Sequence, residues 1–170
     1  MLRAPRSWSE VTAAWMTQAL QRSCPGVAVR EAYVEAVTAG TTSHGLVRLS
    51  YARGEGPERV FVKREGPWFN RLAVTALGAR EVEARLADSA LGLPLESPTF
   101  LAGGADWRRL ATVVVMEDVT LRGARPRDAS HPLTVDEVRN GLLGLARLHA
   151  AYWQRPVPTF VKPWRLGLPW

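Results

Sequence analysis

Three short segments between residues 33 and 63 constrain the fold of this chain more than any other feature. Residues 33–38 are rich in β-forming side chains, and residues 46–51 and 59–63 alternate apolar with polar positions. Successive side chains of a strand point to opposite faces of its sheet, so this alternation predicts half-buried strands. A glycine-bounded turn at 40–45 and a polar bend at 53–57 join the segments. Connections this short predict an antiparallel three-stranded unit.

The chain continues with signals for two more strands. Residues 98–101 predict a short strand, and Gly103-Gly104 predicts a turn. Residues 111–116 form an apolar, β-branched run that is typical of a fully buried strand. Together with the first three segments, they predict an α+β fold with five strands.

The helices are marked by capping signals and by breakers. Ser7 and Glu10 fit a capping box, which predicts a helix over residues 7–23 that ends before Pro25. A second helix is expected over residues 70–89, after the third strand.

A second capping box, Thr134 with Glu137, predicts a helix in the last part of the chain. Beyond this helix, residues 155–170 show no clear periodicity. The residues that share its apolar face are Val135, Val138, Leu142, Leu145, His149 and Tyr152. The expected organisation is a lobe over 1–119, a connector over 120–133, and a last helix with an irregular tail over 134–170.

Composition places the chain among globular proteins. Of its 170 residues, 46% are apolar and 22% are charged, which argues against wholesale disorder. The longest apolar run lies within 111–116, far short of the about 20 residues of a membrane helix, so no membrane span is expected. Cys24 is the only cysteine and can form no internal disulfide, which suits the reducing cytoplasm and predicts a cytoplasmic protein.

The positive net charge is compatible with more than one interpretation of the surface. The net charge is +6, and 20 of the 22 basic residues are arginine. A basic chain attracts anions, so an arginine-rich nucleic-acid-binding module is one hypothesis. A solvated surface is the preferred interpretation, because no dense Lys/Arg block is present.

The turn between the first two strong strand signals has the composition of a phosphate-binding loop. It contains Gly40, Thr41, Thr42 and Ser43. Glycines let backbone amides approach phosphates closely, and hydroxyls add donors. An ordinary hairpin turn has the same composition, and the Gly-Lys-Ser/Thr of a Walker A loop is absent.

A lone lysine follows the third strand signal. Lys63 ends the run Val60-Phe61-Val62, where an ammonium group suits the α and β phosphates of a nucleotide. Glu81, on the predicted second helix, is the favoured carboxylate to hold it in place, and Glu83 is the alternative. Arginine does not mimic a compact ammonium group at phosphates. The competing interpretation is an exposed lysine and an exposed glutamate without a joint role.

The end of the buried strand has the features of a base-binding hinge. Adenine recognition needs one carbonyl acceptor and one amide donor on an extended backbone. Glu117 C=O and Val119 N–H are the candidates, and Met116 is placed at the back of the pocket. A core strand that ends at a charged turn is the commoner origin of such a pattern.

The remaining nucleophiles and metal ligands give no strong signal. His149 lies on an apolar helix face, where a histidine is more often structural than catalytic, and His44 and His131 fall in predicted loops. The three histidines and Cys24 lack metal-ligand spacing, and no Gly-x-Ser-x-Gly elbow is present.

Taken in order, these motifs resemble the aminoglycoside phosphotransferase/choline kinase superfamily, and most closely its ecdysteroid kinase-like branch. The most specific block is Leu-Ala-Arg-Leu-His-Ala-Ala-Tyr-Trp, and the likeness covers about residues 7–155. The blocks that carry it are residues 39–43, 60–63, 80–82, 115–118 and 145–153.

The resemblance implies a protein-kinase-like N-terminal lobe with a five-stranded antiparallel sheet, flanking helices and the start of a C-terminal lobe. It implies transfer of the γ-phosphoryl group of ATP, or sometimes GTP, to a hydroxyl of a small molecule, with Mg²⁺. In that scheme Lys63 binds phosphate, Glu81 pairs with it, and the segment from Glu117 to Val119 holds adenine.

The chain departs from the family after its last predicted helix. The family's His-Gly-Asp-x-x-x-x-Asn segment and its later metal-binding Asp have no counterpart before Trp170. No catalytic or metal-binding residue is therefore assigned, and the chain is expected to be the nucleotide-binding part of a longer kinase, inactive alone. A degenerate lobe that serves only as a partner surface is the alternative. Self-association through the apolar face of the last helix is expected in the absence of a covering lobe.

Overall fold

The computed structural model describes residues 2–40, 42–66, 81–89, 91–106, 111–127 and 130–161. Its centre is a five-stranded antiparallel sheet with the strand order β1-β2-β3-β5-β4. The strands are β1 (Ala28–Ala39), β2 (Thr42–Arg53), β3 (Arg59–Glu65), β4 (Phe100–Asp106) and β5 (Ala111–Glu117). The prediction of an α+β fold with five antiparallel strands is confirmed.

The first helix begins later than the sequence predicted. α1 spans Ala13–Leu20, and its N-cap is Thr12, whose hydroxyl accepts from Trp15 N–H at 3.3 Å. Trp8–Glu10 form only a short 3-10 helix, and the Ser7 hydroxyl contacts Ser9 Oγ instead of capping it. The helical path is interrupted at Val11, which has non-helical dihedral angles (φ −81°, ψ 71°) and is buried in the core.

The described residues also form the helices α2 (Val82–Ser89) and α3 (Val135–Tyr152), and a 3-10 helix spans Val119–Arg122. Residues 70–80 of the predicted second helix lie outside the described residues. α3 opens with the capping box that the sequence predicted. Its predicted apolar face is exposed, with 61% of Leu142 accessible to solvent. Among the described residues, no helix is long and apolar enough to cross a membrane.

The two faces of the sheet have different covers. One face packs against α1 and forms the larger hydrophobic core. Strand residues on this face are Val47, Leu49, Val60, Val62, Val113 and Val115. Because successive side chains of a strand point to opposite faces, every second residue of these strands joins the same core. The alternation in the sequence predicted this arrangement.

In the described residues, α2 covers the opposite face over β4 and β5. Ala84 and Ala87 of α2 pack against Val114 and Met116. In the described part of the chain, no helix lies over the same face of β1, β2 and β3. This uncovered half of the sheet borders the cleft described below.

Gly103 and Gly104 lie inside β4, so the prediction of a turn there is wrong. Both glycines serve close packing. A Cβ atom on Gly103 would overlap the backbone of Ala84 in α2, and one on Gly104 would overlap the backbone of Leu2. Glycine in a strand interior marks this kind of close backbone approach.

Candidate functional site

A cleft of about 470 Å³ lies between the uncovered half of the sheet and the chain that follows β5. Its walls are mainly apolar, and three of its polar residues, Glu117, Asp118 and Thr120, lie where the chain leaves β5. The lining residues are Ala36, Thr38, His44, Gly45, Leu46, Phe61, Pro98, Met116, Glu117, Asp118, Val119, Thr120 and Pro126. A mainly apolar cleft with a few convergent polar groups is the usual form of a small-molecule site.

The three residues expected at a base-binding hinge all line this cleft. Met116 is buried opposite Phe61 of β3, and both residues line the cleft. The Glu117 carboxylate accepts a hydrogen bond from Thr99 N–H at 3.0 Å. Val119 is the first residue of a 3-10 helix, so its N–H has no intrahelical acceptor.

Asp118, between Glu117 and Val119, holds this segment in shape. Its side chain is only 2% exposed, and Oδ2 accepts from Arg59 Nε at 2.5 Å. Oδ1 accepts from the N–H and the hydroxyl of Thr120, which caps the 3-10 helix. Burial by itself raises the pKa of the Asp118 carboxyl, but the hydrogen bonds from Thr120 and Arg59 outweigh it and lower that pKa below 3.8. Asp118 is therefore ionised, and sequence reasoning gave it no role.

Lys63 forms an ion pair with Glu83, 2.6 Å from Nζ to Oε2. Glu81, the favoured partner in the sequence, instead pairs with Arg85 at 2.8 Å. α2 begins at Val82, and residues four apart share a helix face. Glu83 lies on the face of the buried Ala87, towards the sheet, whereas Glu81 lies on the face of the exposed Arg85. The favoured partner is corrected to the alternative that the sequence had left open.

Lys63 and the cleft belong to the same face of the sheet. Lys63 is two residues from Phe61 in β3, and side chains two apart in a strand share a face. The distance along the strand is about 7 Å. The ammonium group therefore lies beside the cleft rather than behind it.

The tip of the β1–β2 hairpin divides its predicted residues between two faces. Gly40 N–H donates to Thr42 C=O at 3.0 Å, and Thr41 lies outside the described residues. Thr42 shares the cleft face with Lys63. Ser43 faces the other way, is buried, and accepts from Trp8 Nε1 at 3.0 Å. The expected phosphate contact of the Ser43 hydroxyl is thus corrected: strand alternation turns it away from the cleft.

His44 is a cleft residue that sequence reasoning placed in a loop. β2 begins at Thr42, so His44 is a strand residue, directly opposite Lys63 of β3. Its ring stacks on Phe61 with centroids 5.3 Å apart and planes at 25°. The available signal was the position of His44 two residues before Leu46, which extends the apolar alternation of the strand backwards.

The structure also shows where the other two histidines lie and whether metal-ligating side chains are grouped. His149 is exposed rather than part of a core, and it lines a separate apolar cavity of about 500 Å³ beside the end of α3. His131 is exposed. The described residues contain no group of three His, Cys, Asp or Glu side chains suited to a metal.

Many arginines form ion pairs with carboxylates. The arginines with an acidic partner include Arg22, Arg48, Arg59, Arg85, Arg122, Arg127 and Arg139. Neutralised pairs contribute little to an attractive field for polyanions.

Comparison of the chain with models of protein families, with curated protein sequences and with solved structures gives no match.

Proposed function

We propose that the cleft is the nucleotide site of an ATP-dependent phosphotransferase acting on a small-molecule hydroxyl, as the resemblance of the motifs implies. The observation that carries the proposal is one sheet face holding both an apolar cleft and the Lys63–Glu83 ion pair. An apolar slot suits a purine, and a carboxylate-oriented ammonium suits the phosphates attached to it. GTP is the second nucleotide to test.

The base end of the proposed site is the segment after β5. Phe61 and Met116 give it an apolar floor, and Val119 presents a backbone N–H. The Asp118–Arg59 contact holds this backbone in place before a ligand arrives, which reduces the ordering cost of binding.

The phosphate end is the region of Lys63 and the hairpin tip. Glu83 orients the ammonium group, and Thr42 stands on the same face near the tip. Phosphoryl transfer additionally needs a group that orients the acceptor hydroxyl and groups that hold Mg²⁺. No residue of the printed sequence is assigned to these roles, so the proposal for this chain is nucleotide binding.

Isothermal titration calorimetry with ATP, GTP and adenosine tests the proposal. Lys63→Met keeps the length of the side chain and removes its charge, and we expect it to weaken ATP binding about tenfold or more. Adenosine affinity should stay within twofold. Lys162→Met removes the only other lysine and is the matched control. If ATP raises the melting temperature equally in the wild type and in Lys63→Met, Lys63 does not bind phosphate.

The same protein preparations test the nucleic-acid alternative. A gel-shift titration with single- and double-stranded oligonucleotides at low salt would reveal an electrostatic interface, whose affinity falls steeply as salt increases. We expect no retardation at micromolar protein.

A further inference from the structure

We propose that His44 is a second phosphate-binding residue of the cleft, which acts together with Lys63 on the α-phosphate of the nucleotide. This inference rests on the proposed nucleotide site and adds a residue to it. The observation is that His44 lines the cleft, stacks on Phe61 and lies directly opposite Lys63 in the sheet.

The sheet register brings the two side chains together. His44 and Lys63 are directly opposed on β2 and β3, and both side chains are on the cleft face. Opposed residues of antiparallel strands have Cβ atoms about 4.5–5.5 Å apart. Two nitrogen-bearing side chains that leave one sheet face at neighbouring positions are suited to contact the same anionic group of a ligand.

The ring is held in place by stacking and not by a hydrogen bond. Phe61 supports one side of the ring, with centroids 5.3 Å apart. Within the described residues the imidazole nitrogens have no hydrogen-bond partner. A ring fixed by an apolar contact, with both nitrogens still available, is prepared to bind a polar group of a ligand.

The order of groups along the cleft assigns the phosphate. Met116 and Val119 lie at the end where the chain leaves β5, and Lys63 lies toward the hairpin tip. His44 is opposite Lys63 while its ring contacts Phe61, so it lies where a bound nucleotide passes from base to phosphate. The α-phosphate is the first anionic group met along that path.

His44→Phe provides the sharpest variant, because it keeps an aromatic ring against Phe61 and removes both nitrogens. We expect ADP to bind about tenfold more weakly to this variant, as for loss of a hydrogen bond to a charged group, while adenosine affinity stays within twofold. His131→Phe makes the same exchange at an exposed position and should leave both affinities unchanged. Unfolding temperatures of all variants are measured first, and His44→Gln serves if His44→Phe does not fold.

The ring nitrogens also provide a direct measurement on the wild type. We expect inorganic pyrophosphate to shift the ¹⁵N signals of the His44 imidazole, with the His131 signals as an internal reference. Equal loss of ADP and adenosine affinity in His44→Phe, or unshifted His44 signals with pyrophosphate, would overturn the role of His44. Failure of the wild type to bind ADP, adenosine and pyrophosphate would instead overturn the nucleotide site itself, and the His44 inference with it.

Discussion

The indole N–H of Trp8 donates a hydrogen bond of 3.0 Å to Ser43 Oγ on the sheet face turned away from the cleft. The same indole packs close to Gly45, where a Cβ atom would overlap backbone and crowd the ring. The Arg64 guanidinium lies over the Trp8 ring, 5.6 Å from its centroid. The N-terminal segment therefore supports the β1–β2 hairpin from behind.

Removal of this hydrogen bond should loosen the hairpin. We expect Ser43→Ala to lower the free energy of unfolding by about 1 kcal/mol, the usual net value of one hydrogen bond. The amides of residues 42–46 should exchange with deuterium faster than in the wild type. Ser7→Ala removes an exposed hydroxyl contact and is the control. Unchanged exchange in Ser43→Ala would show that packing of Trp8 alone supports the hairpin.

The choice of ion-pair partner at Lys63 gives a second prediction. Glu83→Gln should weaken ATP binding about two- to fivefold, the range of a partly exposed ion pair, because the ammonium group loses its orienting carboxylate. Glu81→Gln is the matched substitution one helix face away, and it should change ATP affinity by less than twofold. Calorimetric titration of both variants compares them directly. The opposite ranking would restore the pairing that the sequence had favoured.

The sheet could be predicted from the sequence because its signals are local. Alternation in residues 46–51 and 59–63 depends only on which face of each strand meets the core, and β2 and β3 contain those segments. The capping box of α3 is likewise a contact between residues three apart. The lining of the cleft by Met116, Glu117 and Val119 followed from the same local reading of one strand end.

The sequence-based predictions were wrong where a contact with a distant segment determines the local structure. Gly103 stands in a strand because α2 approaches it, and a sequence window shows only a glycine pair. Glu83 replaces Glu81 because α2 starts at Val82, which sets the phase of the helix against the sheet. Ser43 and His44 were placed in a loop, since the length of β2 depends on pairing with β3 across the turn.

Acid sensitivity should depend on Asp118. Its pKa is lower in the folded chain than the ordinary 3.8, so its stabilising contribution is complete above that value and is lost as pH falls through the lowered pKa. We expect Asp118→Asn to cost about 2 kcal/mol of unfolding free energy at pH 7, because the hydrogen bonds from Arg59 and Thr120 lose their charged acceptor. Urea unfolding at several pH values measures this difference.

The difference between the wild type and Asp118→Asn should shrink as pH falls below 3.8. Asp136→Asn is the control, since Asp136 is an exposed carboxylate paired with Arg139 on the surface of α3. A constant difference from pH 7 to pH 2.5 would mean that the charge of Asp118 does not stabilise the segment after β5.

Two glycines, Gly103 in β4 and Gly141 in α3, should change the free energy of unfolding in opposite directions when they are replaced by alanine. In Gly103→Ala the new methyl group meets the Ala84 carbonyl oxygen and lies 3.0 Å from Ala87 Cβ, so α2 has to shift. We expect a loss of about 1–3 kcal/mol, as for other overpacked sites. Gly141→Ala adds a methyl group in the exposed interior of α3, where nothing lies within 4 Å.

Because alanine is the better helix former, Gly141→Ala should raise the free energy of unfolding by about 0.5–1 kcal/mol. Urea titration of the two variants, followed by circular dichroism, gives both signs in one experiment. A neutral Gly103→Ala would mean that α2 is not held against β4 at this point. Since Glu83 belongs to the same helix, the orientation of Lys63 by α2 would then be in question as well.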